Sequence, residues 1–424
     1  MLPLVIGIDI GTSGARAVAM RPDFSIAGHS AVPLDRFGRD GRDPKAWWQA
    51  VEAALTELLS GIDRAAVRAI AVDGTSGTLL PVDDAGRPLA QPLMYNDKVD
   101  DDDILAAIAR IAPAASAAHG ATSGLAKALR FQSVPGIAAV LHQADWIAGN
   151  FSGRFDVSDE NNALKTGYDV EARRWPAWIA AVGMRMELLP RIVEPGDVTG
   201  ALTAAAVELF GLPRDVAIVA GTTDGCASFL ATGAAAIGDG VTALGSSLTI
   251  KILSDRPISA PRFGIYSHRL GNAWLAGGAS NSGGKVLTQH FSLARIIELS
   301  AVIDPGTETG LDYYPLGSAG ERFPIADPAL PPRLTPRPAD DANYLKAMFE
   351  GIAAIEALGY DRLAELGAPA LTSVRSVGGG ATNPAWTAIR RRKLGVDFLP
   401  ALSDEAAAGT ARLALMGASR AGLL

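Results

Sequence analysis

Apolar residues along the chain come in short runs that end in glycine-rich polar turns. Leu4-Val5-Ile6-Gly7-Ile8 is continuous enough for a buried strand, and it runs into Asp9-Ile10-Gly11-Thr12-Ser13-Gly14. Alternation resumes across Ala15-Arg16-Ala17-Val18-Ala19-Met20 before a turn at Pro22-Asp23, which predicts a β-hairpin with a glycine-rich tip. Asp43-Pro44 predicts a helix start, with Asp43 as N-cap and Pro44 as first helical residue. Trp47, Val51, Leu55, Leu58 and Leu59 then fall on one face. Ala69-Ile70-Ala71-Val72 predicts a second buried strand, ending at Asp73-Gly74-Thr75-Ser76-Gly77. Leu79-Leu80-Pro81-Val82, the turn Asp83–Gly86 and Pro88-Leu89 predict a further hairpin. Ala217-Ile218-Val219-Ala220 leads into Gly221-Thr222-Thr223-Asp224-Gly225. Strands alternating with helices, with polar loops after the strands, predict an α/β fold.

One pattern occurs twice. The strands around Val241–Leu244 and Leu248–Ile252 flank the tip Gly245-Ser246-Ser247, as Ile6 to Met20 flank Gly11-Thr12-Ser13. The repeat predicts a second domain built like the first. Residues 305–338 are proline-rich and poorly periodic, and predict a long surface connection carrying a strand or two. Tyr344, Met348, Ile352 and Ile355 then repeat at helical spacing from Asp341 onward. Val374–Val377 predicts a strand feeding Gly378-Gly379-Gly380-Ala381-Thr382-Asn383, and Ser403 or Asp404 is placed to cap a last Ala-rich helix.

Composition narrows the function classes. The 424 residues carry 38 Lys+Arg and 45 Asp+Glu, a net charge of −7, which speaks against nucleic acid as a partner. A single cysteine, Cys226, excludes an internal disulfide framework and points to a reducing, cytoplasmic setting. The five histidines (His29, His119, His142, His268, His290) offer no pair at metal-ligand spacing. No stretch approaches the ~20 apolar residues of a membrane span, and the first residues lack the basic start of a signal peptide.

The glycine-rich strand ends carry the candidate chemistry. Backbone N–H groups around Gly11, Gly245 and Gly378 can approach an anion with no Cβ in the way, and Thr12, Ser13, Ser246 and Ser247 add hydroxyl donors. Asp9 beside a phosphate cradle makes sense with Mg²⁺ between them; alternatively it only ties the turn. Asp224, between small residues after a buried strand, can take the proton of a bound hydroxyl during phosphoryl transfer, or cap the helix that follows. Gly278–Val286 looks like a P-loop but fails it at Ala279 and Val286, and no G-x-G-x-x-G follows a strand. Cys226 reads as a small buried apolar residue.

Asp9-Ile-Gly-Thr-Ser, Gly221-Thr-Thr-Asp224-Gly, Gly245-Ser-Ser and Gly378-Gly-Gly-Ala-Thr-Asn383 occur in one order, and the segment Phe155–Asp169 precedes the second of them. Together they resemble the FGGY carbohydrate kinases. The resemblance implies two ribonuclease-H-like (actin-like ATPase) domains around a central cleft: residues 1–231 plus 402–424, and residues 232–401. It implies ATP and Mg²⁺ as cofactors, with Asp9 on the metal. Gly11, Thr12 and Ser13 would take the first phosphate motif, Gly245, Ser246 and Ser247 the second, and Gly378, Gly379, Gly380 and Asn383 the adenosine. Asp224 would be the general base. Asp73, Thr75, Ser76, Asn96, Asp97 and Asp224 would meet a small-molecule sugar. The loop Asp73–Thr78 with Tyr95-Asn96-Asp97 looks closer to ribulokinase-like members than to xylulokinases, which puts D-ribulose slightly ahead of D-xylulose. Where many members have Asp-x-Arg, this chain has Asp97-Lys98-Val99. A monomer or homodimer that closes about a hinge near Ala231–Ala234 is implied, with neither nucleic acid nor membrane as partner. The alternatives on the same fold are a non-catalytic sugar or nucleotide sensor and a chaperone-type ATPase.

Overall fold

The structure is a computed structural model that describes residues 2–38 and 40–424. The chain divides into two units: residues up to Ala231 together with Glu405–Leu424, and Thr232–Asp404.

The first unit is built on a six-stranded sheet in the order Ile26–Pro33, Gly14–Met20, Leu4–Ile10, Val67–Gly74, Ala217–Val219, Val198–Ala201. Leu4–Ile10 is antiparallel to Gly14–Met20 and parallel to Val67–Gly74, which is parallel to Ala217–Val219. Every residue of Leu4–Ile10 is buried, which is why it reads as an unbroken apolar run rather than an alternating one. The register sets Asp9 beside Asp73, and Gly74 bridges Thr223. Asp9 and Asp73 are thus the next-to-last residues of two parallel strands, and Asp224 lies one residue past the bridge that continues the third.

Each face of this sheet is covered differently. One packs against Trp47, Val51, Leu55 and Leu58 of the helix Pro44–Ser60, with Trp146, Phe151 and Phe210. That helix starts as its sequence predicts: Lys45 N donates to Asp43 Oδ1 at 2.9 Å, and Pro44 is the first residue. The other face carries Ala407, Ala411, Ala414 and Ala418 of the last helix, Ala406–Arg420. Small residues are required because the backbones nearly touch: a Cβ on Gly7 would lie 2.1 Å from Ala407 O. The N-cap of this helix is Glu405, so neither Ser403 nor Asp404 caps it. The expected hairpin after Leu79 closes through the turn at Asp83–Gly86 as isolated antiparallel bridges, Val82 with Pro88 and Leu79 with Leu93, while Leu79–Val82 pairs as a strand with Ala139–His142.

The second unit repeats the plan. Its sheet runs His268–Leu270, Ala273–Ala279, Leu248–Ser254, Asp239–Leu244, Ser373–Val377, Asp397–Phe398. Asp239–Leu244 and Leu248–Ser254 form the second antiparallel hairpin with its tip at Gly245-Ser246-Ser247, and Ser373–Val377 lies parallel to the first of them. The helix Asp341–Glu365 buries Tyr344, Met348, Ile352 and Ile355. Residues 305–338 hold no strand, only the isolated bridges Tyr314–Arg333 and Glu321–Asp327. Prolines there interrupt any ladder before it extends. No helix among the described residues is long and apolar enough to cross a membrane.

Candidate active site

In the first unit the site begins with carboxylates that the sheet places abreast. Asp9 is 5% exposed and Asp73 is fully buried. Arg16, on the neighbouring strand, donates from Nη1 to Asp9 Oδ2 at 3.0 Å and also meets Glu405 Oε2 at 3.4 Å. Thr410 of the last helix donates to Asp73 Oδ2. Burial, then the charge of Asp9, pushes Asp73 well above the usual carboxylate range. Its Oδ1 is buried and has no hydrogen-bond partner. Burial, and more weakly Asp224, raises Asp9 too, while Asp73 and Arg16 oppose that shift. Asp73, expected among the sugar contacts, is fully buried in the sheet beside Asp9, with Thr410 on one of its oxygens.

Asp224 opens the helix Asp224–Ala231 and is half-buried, and Gly225 N donates to its Oδ1 at 2.6 Å. Thr223, not Asp224, caps the turn: Cys226 N and Ala227 N donate to Thr223 O at 3.0 and 2.9 Å. Cys226 behind it is buried, as its sequence context predicts. Thr12 and Ser13 are exposed at the first hairpin tip, and Gly11 N closes the tip on Gly14 O at 3.0 Å.

The remaining expected sugar residues divide by what they already hold. Thr75 donates from Oγ1 to Gln143 Oε1 at 2.5 Å, so its hydroxyl is committed. Asp97 accepts from Arg42 Nη2 at 2.9 Å and from Met94 N at 2.8 Å, which makes it a brace of its loop. Ser76 Oγ has no partner, and Asn96 is exposed. Beneath this loop Lys127 donates to the carbonyls of Gly77 and Met94, both at 2.7 Å. Burial lowers its pKa to about 8. Burial, with two lysines nearby, lowers His142 to about 3, so its ring is neutral.

The second unit carries a pocket of about 750 Å³. Leu244, Leu293, Ile296, Ile297 and Trp386 give it an apolar wall, and Ser300 and Asn383 give it polar points. Gly245, Ser246, Gly379 and Gly380 line it as well. A Cβ on Gly379 would meet nothing within 4 Å, so that glycine leaves open space, whereas Gly378 sits against the Leu244 backbone at φ +83°. Asn383 caps the helix Pro384–Leu394 by accepting from Trp386 N at 3.0 Å, while its amide donates to Ser300 Oγ at 2.8 Å. Ser247 is half-buried at the tip. The size and the apolar wall suit a purine ring, and the glycine-lined edge suits phosphates.

A metal fits only in one form. Among the described residues no three His, Cys, Asp or Glu side chains gather as a metal cage. Asp9, with one oxygen on Arg16, suits Mg²⁺, which keeps most of its waters and rests on one carboxylate plus phosphates. Sequence reasoning passed over Arg16, whose signal was a lone charge in an apolar strand. It also passed over Lys285, which lines the second pocket because Gly284 N and Lys285 N bond to Gly245 O and Ser246 O at 2.8 and 3.1 Å. The segment that fails as a P-loop is therefore a buttress of the second hairpin tip.

Known proteins resemble the chain in sequence and fold. A xylulose kinase of Escherichia coli (strain K12) is 24% identical, covering 98% of this chain and 90% of its own. One from Streptomyces coelicolor is 25% identical over 93% of this chain and 83% of its own. Among solved structures, that of a xyloylose kinase from Brucella ovis superposes with a TM-score of 0.85 at 23% identity, over 98% of this chain and 91% of that one. A gluconate kinase from Lactobacillus acidophilus reaches 0.82 at 18% identity, over 100% and 90%. Both share the two-domain actin-like fold. The model of the N-terminal domain of the FGGY family of carbohydrate kinases matches residues 4–100 and 130–231, and that of the C-terminal domain matches residues 240–418. With matches over most of its length, the chain belongs to the FGGY family of carbohydrate kinases.

Proposed function

We propose that the chain transfers the γ-phosphoryl group of ATP to a hydroxyl of a ketopentose, D-xylulose first and D-ribulose second. The observation that carries this is the row of strand ends: an arginine-held Asp9 and a half-buried Asp224 at the edge of one sheet. Sugar kinases of this family use ATP. The hydroxyl oxygen attacks the γ-phosphorus, the bond to the β,γ-bridging oxygen breaks, and the hydroxyl proton passes to the carboxylate of Asp224. Mg²⁺, held through Asp9, would supply charge neutralisation at the β- and γ-phosphates. Thr12, Ser13, Ser246, Ser247 and the glycines of both tips supply donors for the phosphates. The pocket beside Gly379, Gly380 and Asn383 takes the adenosine.

The order of sugars changes from the sequence-based expectation. The relatives named xylulose kinase support D-xylulose. The loop Asp73–Thr78 with Asn96 keeps D-ribulose as the second candidate. A coupled assay of ADP release over D-xylulose, D-ribulose, pentitols and aldohexoses tests the reading. It expects turnover strictly dependent on a ketopentose and fastest with D-xylulose. ADP release that ignores added sugar would contradict it.

A further inference from the structure

Lys165 lies on the turn Leu164–Thr166, directly after the short helix Glu160–Ala163. It is half-buried, and among the described residues it makes neither a hydrogen bond nor an ion pair. Lys127, nearby, differs: its ammonium is spent on two carbonyls. Burial disfavours the charged form of Lys165, while Asp224 and then Cys226 favour it; Lys127 and the neutral His142 are its other titratable neighbours. Its stem borders the substrate loop, since a Cβ on Gly77 would lie 3.8 Å from Lys165 Cδ.

Two further groups, one on this loop and one bonded to it, lack a partner for a polar atom. Ser76 Oγ has none, and Gln143, fully buried, has its Oε1 taken by Thr75 while its Nε2 has none. Buried polar groups are normally paired, and a cation withdrawn from water without a partner weakens the fold. Folding alone gives no reason to keep Lys165 there; a ligand does. An ammonium and an amide NH₂ can only donate. They suit an oxygen that accepts and has no hydrogen of its own. A hydroxyl in that place could accept from the ammonium too, but it is the weaker acceptor and must still place its own proton, on Ser76 Oγ or water, whereas a carbonyl or carboxylate oxygen only accepts.

We propose that Lys165 is a specificity residue for the sugar. It donates to an oxygen that bears no hydrogen, the carbonyl of an open-chain ketose or the carboxylate of an aldonate, and so favours these over the matching alditol. The inference rests on the sugar-kinase reading of Asp224, and binding measured without ATP separates the two.

Calorimetric titration of D-xylulose, D-xylonate and xylitol onto the full chain and its Lys165→Met variant tests it. The wild type should bind the ketose or the aldonate more tightly than xylitol, and whichever binds tighter identifies the source of the oxygen. Lys165→Met should weaken that ligand by about 10- to 100-fold, the worth of one charged hydrogen bond, and leave xylitol nearly unchanged. Its melting temperature should equal or exceed that of the wild type, which a structural lysine would not allow. An equal loss for all three ligands, no loss, no wild-type preference or binding, or a lowered melting temperature with selectivity intact would overturn the proposal. Lys165-dependent binding without turnover of any sugar would instead sink the kinase reading and leave this inference standing.

Discussion

Replacing Arg390 by Met, Glu356 by Leu, and both together probes the frame that holds the pocket beside Gly379, where we place the nucleotide. Both side chains are 0% exposed and meet through two bonds, Nε to Oε2 at 2.6 Å and Nη2 to Oε1 at 2.7 Å. Glu356 Oε1 also accepts from Thr242 Oγ1 at 2.5 Å, and Arg390 Nη1 donates to Ser376 Oγ at 2.8 Å. The network thus ties the helices Asp341–Glu365 and Pro384–Leu394 to the strands Asp239–Leu244 and Ser373–Val377, on which the pocket beside Gly379 is built. Removing one partner strands a charge in the core and should cost about 3–5 kcal/mol. Removing both leaves no lone charge, only two hydroxyls short of a bond, at roughly 1 kcal/mol each. The double variant should therefore be more stable than either single one, with a coupling of at least about 3 kcal/mol. For a unit of this size each single change should lower the melting temperature by roughly 6–20 °C. Calorimetry and urea midpoints read the stability, and ATP titration should weaken in step. Single changes costing under about 1 kcal/mol, or additivity within about 0.5 kcal/mol, would refute the reasoning.

Gly409→Ala should destabilise the first unit by about 1–3 kcal/mol or more, because its Cβ would lie 1.8 Å from Ala227 O. Glycine-to-alanine changes within helices usually stabilise, so a raised urea midpoint would deny the close contact. Lys127 supplies a pH dependence. Its pKa of about 8 in the fold lies below the 10.5 of the unfolded chain, so between these values the unfolded state binds more protons. Stability is penalised below about pH 8 and recovers as pH rises toward 10.5, by about 3 kcal/mol from this group. Unfolding free energies across that window should climb in the wild type relative to Lys127→Met; parallel curves would contradict the assignment.

The two hairpins and the strand ends at Asp73 and Asp224 were legible because a fully buried strand needs an unbroken apolar run and its tip needs glycine. The Ala-rich last helix was legible as a helix, yet its start was not, since Ser403, Asp404 and Glu405 are all polar and only backbone geometry chooses among them. Asp73 misled. A carboxylate at a strand end reads as a ligand contact, and only the register with Asp9 and the reach of Thr410, 337 residues on, turn it into a buried support. Lys165 and Lys127 sit in segments of similar polarity, and nothing local separates the cation that holds carbonyls from the one that holds nothing. Lys285 was dismissed with a failed motif, because its place beside Gly245 depends on backbone bonds between distant segments.

Sugar-dependent phosphoryl transfer through Asp224 is tested most directly by the turnover of Asp224→Ala, measured as ADP release at saturating D-xylulose and ATP. Nucleotide affinity is followed in parallel, and folding is checked by thermal melting. Turnover should fall by roughly 10²–10⁴-fold, while ATP binds almost as it does to the wild type, since its donors lie on other residues. A folded Asp224→Ala protein that turns over at the wild-type rate would contradict the account.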